Sequence, residues 1–301
     1  MYKQQAKKLI CILGPTAVGK TAISIALAKH LHTHIISADS RQFYKELSIG
    51  TAKPSATELA EAPHHFIGHI SIHQKYSAGD FERDALKLLN ELFKEQDTIV
   101  AVGGSGLYIK ALLEGLDKMP EGDEQLRDEL NQLLETKGIV ALQERLLRIS
   151  AESAAAIDMN NTQRVMRAIE IAEGGGLSKN SLKQPRPFET LEIILNRPRE
   201  ILYNRINKRV DEMIAAGLID EAKHLFTYKD LYALQTVGYT ELFDAFEGRT
   251  TIEQAITLIK QHSRNYAKRQ ITWFKRQPNA HWFEPEQLKE IFTCVESFIK
   301  Q

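Results

Sequence analysis

Leu9-Ile10-Cys11-Ile12-Leu13 runs straight into Gly14-Pro15-Thr16-Ala17-Val18-Gly19-Lys20-Thr21, and Ile23, Ile25, Ala26 and Leu27 follow at once. The apolar run reads as a buried strand and the residues after Thr21 as a helix. The eight residues between them are G-x-x-x-x-G-K-[ST] in the strand–loop–helix setting this pattern requires. Glycines let successive backbone N–H groups turn toward one point, where the following helix presents its positive end. Such a loop cradles a diphosphate or triphosphate. Lys20 adds a point charge, and Thr21 a hydroxyl suited to Mg²⁺.

Working outward, His34–Ala38 and Thr98–Val102 have the same strand character, while Ala22–His30 and Phe81–Phe93 carry helical periodicity. Alternating strand and helix with a phosphate loop after the first strand predicts an α/β fold: a parallel, doubly wound sheet. The pattern changes after Leu116. From Glu121 to about Gly174 only helical spacing recurs, as in Leu126, Leu130, Leu133 and Leu134, and then Val165, Ile169 and Ala172. Gly174-Gly175-Gly176 stops that run, a polar stretch from Lys179 to Pro187 follows, and Leu191–Leu195 resumes as strand. The expected organisation is a core of residues 1–118 and 187–301, helical in its C-terminal part, interrupted by a helical insertion at 119–186.

Bulk composition sets wide bounds. The 301 residues, 43% hydrophobic and 26% charged, are those of an ordinary soluble globular chain with ample material for a core. Net charge is zero, so any nucleic-acid surface must come from local segregation. Cys11 and Cys294 make no disulfide framework and fit a reducing cytoplasm. No signal peptide and no membrane-spanning run is visible.

Motor and switch NTPases place a metal-holding acid at the end of a second apolar strand, yet Ile99–Val102 ends in Gly103-Gly104-Ser105-Gly106. The strand that does end in an acid is His34–Ala38, followed by Asp39-Ser40-Arg41-Gln42. Both loops leave the carboxyl edge of one sheet, so Asp39 should lie near the phosphates. That suits group transfer with Asp39 taking a proton from the acceptor. A turn or helix-cap role for Asp39 fits the spacing equally well.

Taken together, Gly14–Thr21, Ile36–Gln42, Gly50-Thr51-Ala52-Lys53-Pro54, Val102–Leu112, Gln163–Glu170, Arg197–Glu200, Val237-Gly238-Tyr239 and Lys268–Phe274 resemble the tRNA dimethylallyltransferase family, also called tRNA isopentenylpyrophosphate transferases. The motifs stand in family order over roughly residues 9 to 283. The resemblance implies a P-loop nucleoside-kinase-like core. It implies transfer of a dimethylallyl group from dimethylallyl diphosphate to N6 of adenine 37, beside the tRNA anticodon, with release of diphosphate and with Mg²⁺ as cofactor. It implies that Arg209 stabilises the leaving diphosphate, with Lys53 a weaker candidate. It also places Asp39, Ser40, Arg41 and Gln42, together with Gln163, Arg164, Val165, Met166 and Arg167, on the anticodon stem-loop. Arg127 is a further candidate there. Ser105 stands where the family usually has a threonine against the target nucleotide, and Asn161-Thr162 replace the usual Asp-Pro. Without the resemblance, Arg164 and Arg167 read as an ion-paired surface helix, with Arg167 to Glu170 or Glu173.

Lys260 to Arg276 holds six Lys or Arg and no acid. On a helical wheel Lys260, Arg264, Lys268 and Lys275 fall within roughly 80°, beside an apolar face of Ile256, Ile259 and Tyr266. Such a stripe suits a phosphate backbone, with Lys268, Arg269 and Lys275 as the contacts. Trp273 and Phe274 read as core. His64, His65, His69 and His73 lack zinc-ligand spacing. Three other activities remain open on residues alone: prenyl transfer to free AMP, ADP or ATP, a small-molecule kinase, and an RNA-binding protein with a vestigial loop. No coiled-coil pattern asks for a partner chain, so a monomer is expected.

Overall fold

The computed structural model describes residues 6–117, 123–175 and 185–301. Gly176 and 179–184, read above as helix stop and loop, lie outside the described residues, as do the expected first residues of the insertion, 119–122. The chain forms two compact units, Met1–Glu114 with Arg186–Gln301, and Gly115–Pro185.

In the larger unit β1 (Lys8–Leu13), β2 (Ile35–Ser37), β3 (His64–His65), β4 (Thr98–Gly103), β5 (Glu189–Leu195) and β6 (His281–Phe283) form one parallel sheet in the order β3-β2-β4-β1-β5-β6. β1 is central, with Ile10 opposite Val100 on one side and Leu191 on the other. A parallel strand covered on both faces must be apolar throughout, and all six residues of β1 are buried. Even Lys8 is enclosed, its Nζ donating to the carbonyls of Phe298 (2.6 Å) and Ile299 (3.0 Å). β3 and β6 have no counterpart in the apolar pattern. At two and three residues, each with histidine, they take strand form from the sheet edge they join.

Around the sheet lie α1 (Lys20–Leu31), α2 (Ala56–Glu61), α3 (Ala78–Leu92) and α4 (Gly106–Glu114), and after β5 come α5 (Arg199–Ala215), α6 (Leu218–Leu225), α7 (Tyr239–Phe246), α8 (Ile252–Phe274) and α9 (Leu288–Ile299). Ile10, Ile12, Val100, Ile193 and Leu195 pack with Leu27 of α1, Ile206 of α5, Ala267 of α8 and Val295 of α9. The ends of β1, β2 and β4 emerge at one edge and carry Gly14, Asp39 and Gly104 there. Among the described residues no helix is long and apolar enough to cross a membrane.

The smaller unit is helical: Glu124–Ile149, interrupted at Gly138 (φ 72°, ψ −177°), then Ala151–Ala156 and Thr162–Glu173. Leu130, Leu142, Leu146, Val165, Met166 and Ile169 form its core. Asn161 Oδ1 accepts the Arg164 N–H at 3.1 Å, so an asparagine cap starts the last helix without the Asp-Pro pair.

Candidate active site

The phosphate loop is held from behind. Gly14 has φ +141°, and a Cβ there would meet the Leu195 carbonyl oxygen at 2.5 Å, so only glycine fits. Lys20 Nζ donates to the carbonyls of Gly14 (3.0 Å) and Pro15 (2.8 Å). Arg205 Nε donates to Ala17 O (2.9 Å) and Arg197 Nε to Val18 O (3.0 Å). With the carbonyls engaged and Ala17 in the left-handed region (φ 62°), the turn has the form of an anion-binding nest. The Thr16 N–H is already taken, donating to Gln270 Oε1 at 2.9 Å.

Thr16, Lys20, Thr21, Asp39, Arg209 and Tyr266 lie on the wall of a cavity of about 930 Å³. A second chamber of about 370 Å³ is lined by Ser40, Arg41, Thr236 and Arg269, and shares Asp39, Arg209 and Tyr266 with the first. The phosphate loop and the acid after β2 therefore face one space, and Asp39 stands where its two parts meet. Asp39 also serves its turn, Oδ1 accepting the Arg41 N–H at 3.1 Å, as the turn reading expects.

Burial lowers Lys20 to about 8; Asp39 opposes that shift and Arg209 adds to it. Arg209 is itself lowered, first by burial and then by Arg205. Burial first, and then the neighbouring cations, disfavour charge on both groups, and an anion against this wall would oppose those shifts. Tyr266 is pushed up to about 12, first by burial and then by the Asp39 charge, while a hydrogen bond with Ser105 acts the other way. The tyrosine stays a protonated hydroxyl.

Several sequence candidates serve the scaffold. The Arg41 guanidinium donates to the carbonyls of Tyr232 (2.8 Å), Ala233 (3.2 Å) and Gln235 (3.1 Å). Gln42 Nε2 donates to Thr51 O and Ala52 O, and Lys53 Nζ to Tyr44 O and Lys45 O. Those side chains hold loops, and all three also line the chambers, Gln42 and Lys53 the first and Arg41 the second. Ser105 is buried on the wall of neither chamber; its Oγ accepts the Ser40 N–H at 3.2 Å and supports the residue beside Asp39.

In the smaller unit Val165 and Met166 are wholly buried core residues, so their side chains are withdrawn from any RNA surface. Arg127 donates to Glu170 (2.7 Å) and Gln163 (2.5 Å), and Arg167 to Glu170 (3.0 Å). Arg164 is exposed. On α8 the basic stripe is divided. Lys260 pairs with Asp211 (2.5 Å) and Arg264 with Asn207 (2.7 Å), both on α5, so neither is a free phosphate contact. Lys268 and Lys275 are exposed and border a cleft of about 660 Å³ with Arg199 and Trp282. Trp273 packs over Gly106 and Phe274 is buried.

Sequence reasoning gave no site role to Arg197, Arg205 and Gln270, which it met only within the family motifs, read Tyr266 as part of an apolar face, and missed Glu221. Glu221 accepts the N–H groups of Ser48, Ile49 and Gly50 and the Tyr239 hydroxyl, which is what fixes the Gly50–Pro54 segment. Besides motif membership, the available signal was the four-residue spacing of Tyr266 and Gln270, which puts both on one face of α8.

The profile of the IPP transferase family matches residues 42–277. The chain belongs to the IPP transferase family. A tRNA dimethylallyltransferase of Christiangramia forsetii is 52% identical over 97% of this chain and 98% of its own. One of Cytophaga hutchinsonii is 47% identical, with 98% of each chain covered. The crystal structure of the full-length tRNA isopentenylpyrophosphate transferase of Bacillus halodurans superposes with a TM-score of 0.74 at 39% identity, covering 98% of this chain and 97% of that one. A eukaryotic dimethylallyltransferase acting on tRNA gives 0.74 at 25% identity, over 92% of this chain and 74% of that one. The IPP transferase fold accounts for the parallel sheet and for the phosphate loop after its central strand.

Proposed function

We propose that this protein transfers a dimethylallyl group from dimethylallyl diphosphate to N6 of adenine 37 in the anticodon stem-loop of tRNA, releasing diphosphate. The observation that carries the reading is the shared cavity of the phosphate loop, Lys20, Arg209 and Asp39. The N6 lone pair attacks the first prenyl carbon, the carbon–oxygen bond breaks toward diphosphate, and Asp39 takes the N6 proton. The adenine amine is a poor nucleophile because its lone pair is delocalised, so a positioned base contributes ~10²–10⁴-fold. Loop amides, Lys20 and Arg209 stabilise charge on the departing diphosphate where it develops. Thr21, a hard oxygen donor on the same wall, would hold Mg²⁺ together with diphosphate oxygens, and the bound ion would neutralise leaving-group charge.

The target base is extruded from its stack into the chamber beside Asp39, at a cost of about a few kcal/mol offset by contacts to neighbouring nucleotides. Ser40, Arg269, Lys268 and Lys275 of the larger unit supply polar and cationic groups for those contacts, and the smaller unit, by itself, offers Gln163 and Arg164 to the tRNA. Two free cysteines and a tRNA substrate support a cytoplasmic setting.

The test is incubation with labelled dimethylallyl diphosphate, Mg²⁺ and unmodified tRNA. Label should enter the tRNA, and Asp39→Ala should lower the rate at least ~10²-fold while tRNA still binds. Label on free AMP alone, or phosphate transfer from ATP, would replace this reading with one of the alternatives.

A further inference from the structure

In-line transfer requires two reactants held in register, and here two separate loops must do it: the diphosphate loop after β1 and the turn after β4 that supports Ser40 and Asp39. One buried side chain touches both. Gln270, 6% exposed, accepts the Thr16 N–H on Oε1 (2.9 Å) and donates from Nε2 to the Gly104 carbonyl (2.9 Å). The approach is close enough that a Cβ on Gly104 would sit 2.4 Å from Nε2, 3.1 Å from the Gly14 carbonyl oxygen and 3.5 Å from Lys20 Nζ. A larger residue there would push the Gln270 amide out of its bridge. From Gly104 the connection continues through Ser105 Oγ to the Ser40 N–H at 3.2 Å, one residue from Asp39.

We propose that Gln270 is a positioning residue that sets the distance between the donor's diphosphate and the base acting on the acceptor, by bridging Thr16 and Gly104. The proposal rests on the prenyl-transfer reading above. The residue type follows from the two bonds. One atom must accept and the other donate, which a carboxamide does and a carboxylate does not. The group must also be neutral, because a carboxylate this close to Lys20 would compete with the diphosphate for the ammonium. Misplacing reactants by about 1 Å can cost ~10²-fold in rate with binding intact.

The experiment measures single-turnover prenyl transfer to unmodified tRNA, at saturating substrates, for the wild type, Gln270→Leu and Gln270→Glu. Affinities for inorganic pyrophosphate and tRNA, and melting temperatures, are measured alongside. Gln270→Leu should lose at least ~10-fold in rate while the folded variant still binds both ligands. Gln270→Glu has a diagnostic pH profile. Its protonated acid can accept from Thr16 and donate to Gly104, so its rate relative to wild type should climb as pH falls through the titration of that carboxyl, which burial raises and Lys20 lowers. That recovery supports the bridge even where Gln270→Leu fails to fold. A Gln270→Leu rate equal to wild type, a flat ratio for Gln270→Glu, or losses confined to affinity or melting temperature would each overturn the proposal. Absence of transfer by the wild-type protein overturns the prenyl-transfer reading itself, and the Gln270 role falls with it.

Discussion

Lys20 connects burial to ligand chemistry. Its ammonium is lowered to about 8, with burial the first cause. A bound diphosphate would supply the opposing charge and restore the proton, so binding near pH 8 should take up a proton, and affinity should fall as pH rises through that value. Calorimetric titration of pyrophosphate in two buffers of different ionisation heat measures the uptake, and Lys20→Met should abolish it. An affinity flat across this range would contradict the assignment. The linkage to stability has a definite sign. The folded value lies below the ordinary 10.5, so between the two the unfolded chain binds more protons, and this group's contribution makes stability rise with pH.

At the scale of elements, α8 shows what periodicity reads and what it leaves out. Wheel geometry correctly groups Lys260, Arg264 and Lys268 on one side. It carries no knowledge of the neighbouring helix, where Asp211 and Asn207 engage the first two. Lys268→Ala with Lys275→Ala should therefore weaken tRNA binding and flatten its dependence on salt, because each lost phosphate contact removes about 0.9 from the slope. Lys260→Ala should leave that slope unchanged. Filter binding across a salt series checks both, and equal effects would remove the division of the stripe. The phosphate loop, the strand before Asp39 and the long amphipathic helices were legible because each is decided by local residues. β3 and β6 were not, because sheet edges made them strands. Tyr266 read as core because its ring is apolar, whereas its place on the chamber wall depends on strands distant in sequence.

At the scale of the whole molecule, the sequence break after Leu116 marks a change in how the chain is built, from parallel sheet to three helical segments around Leu130, Leu142 and Met166. Every residue lining the two chambers belongs to the larger unit. The smaller unit's core is completed by its own helices, and Glu170 ties Arg127 and Arg167 within it. The two substrates should therefore leave separate signatures in amide hydrogen exchange. Pyrophosphate at about 100 times its Kd should stabilise the protein by about 2.7 kcal/mol and slow exchange at residues 14–21 and at the ends of β2 and β4. The helix Thr162–Glu173 should exchange as before and slow only when tRNA is added. Slowing of Thr162–Glu173 by pyrophosphate alone would mean that the donor site reaches beyond the residues that line its cavity.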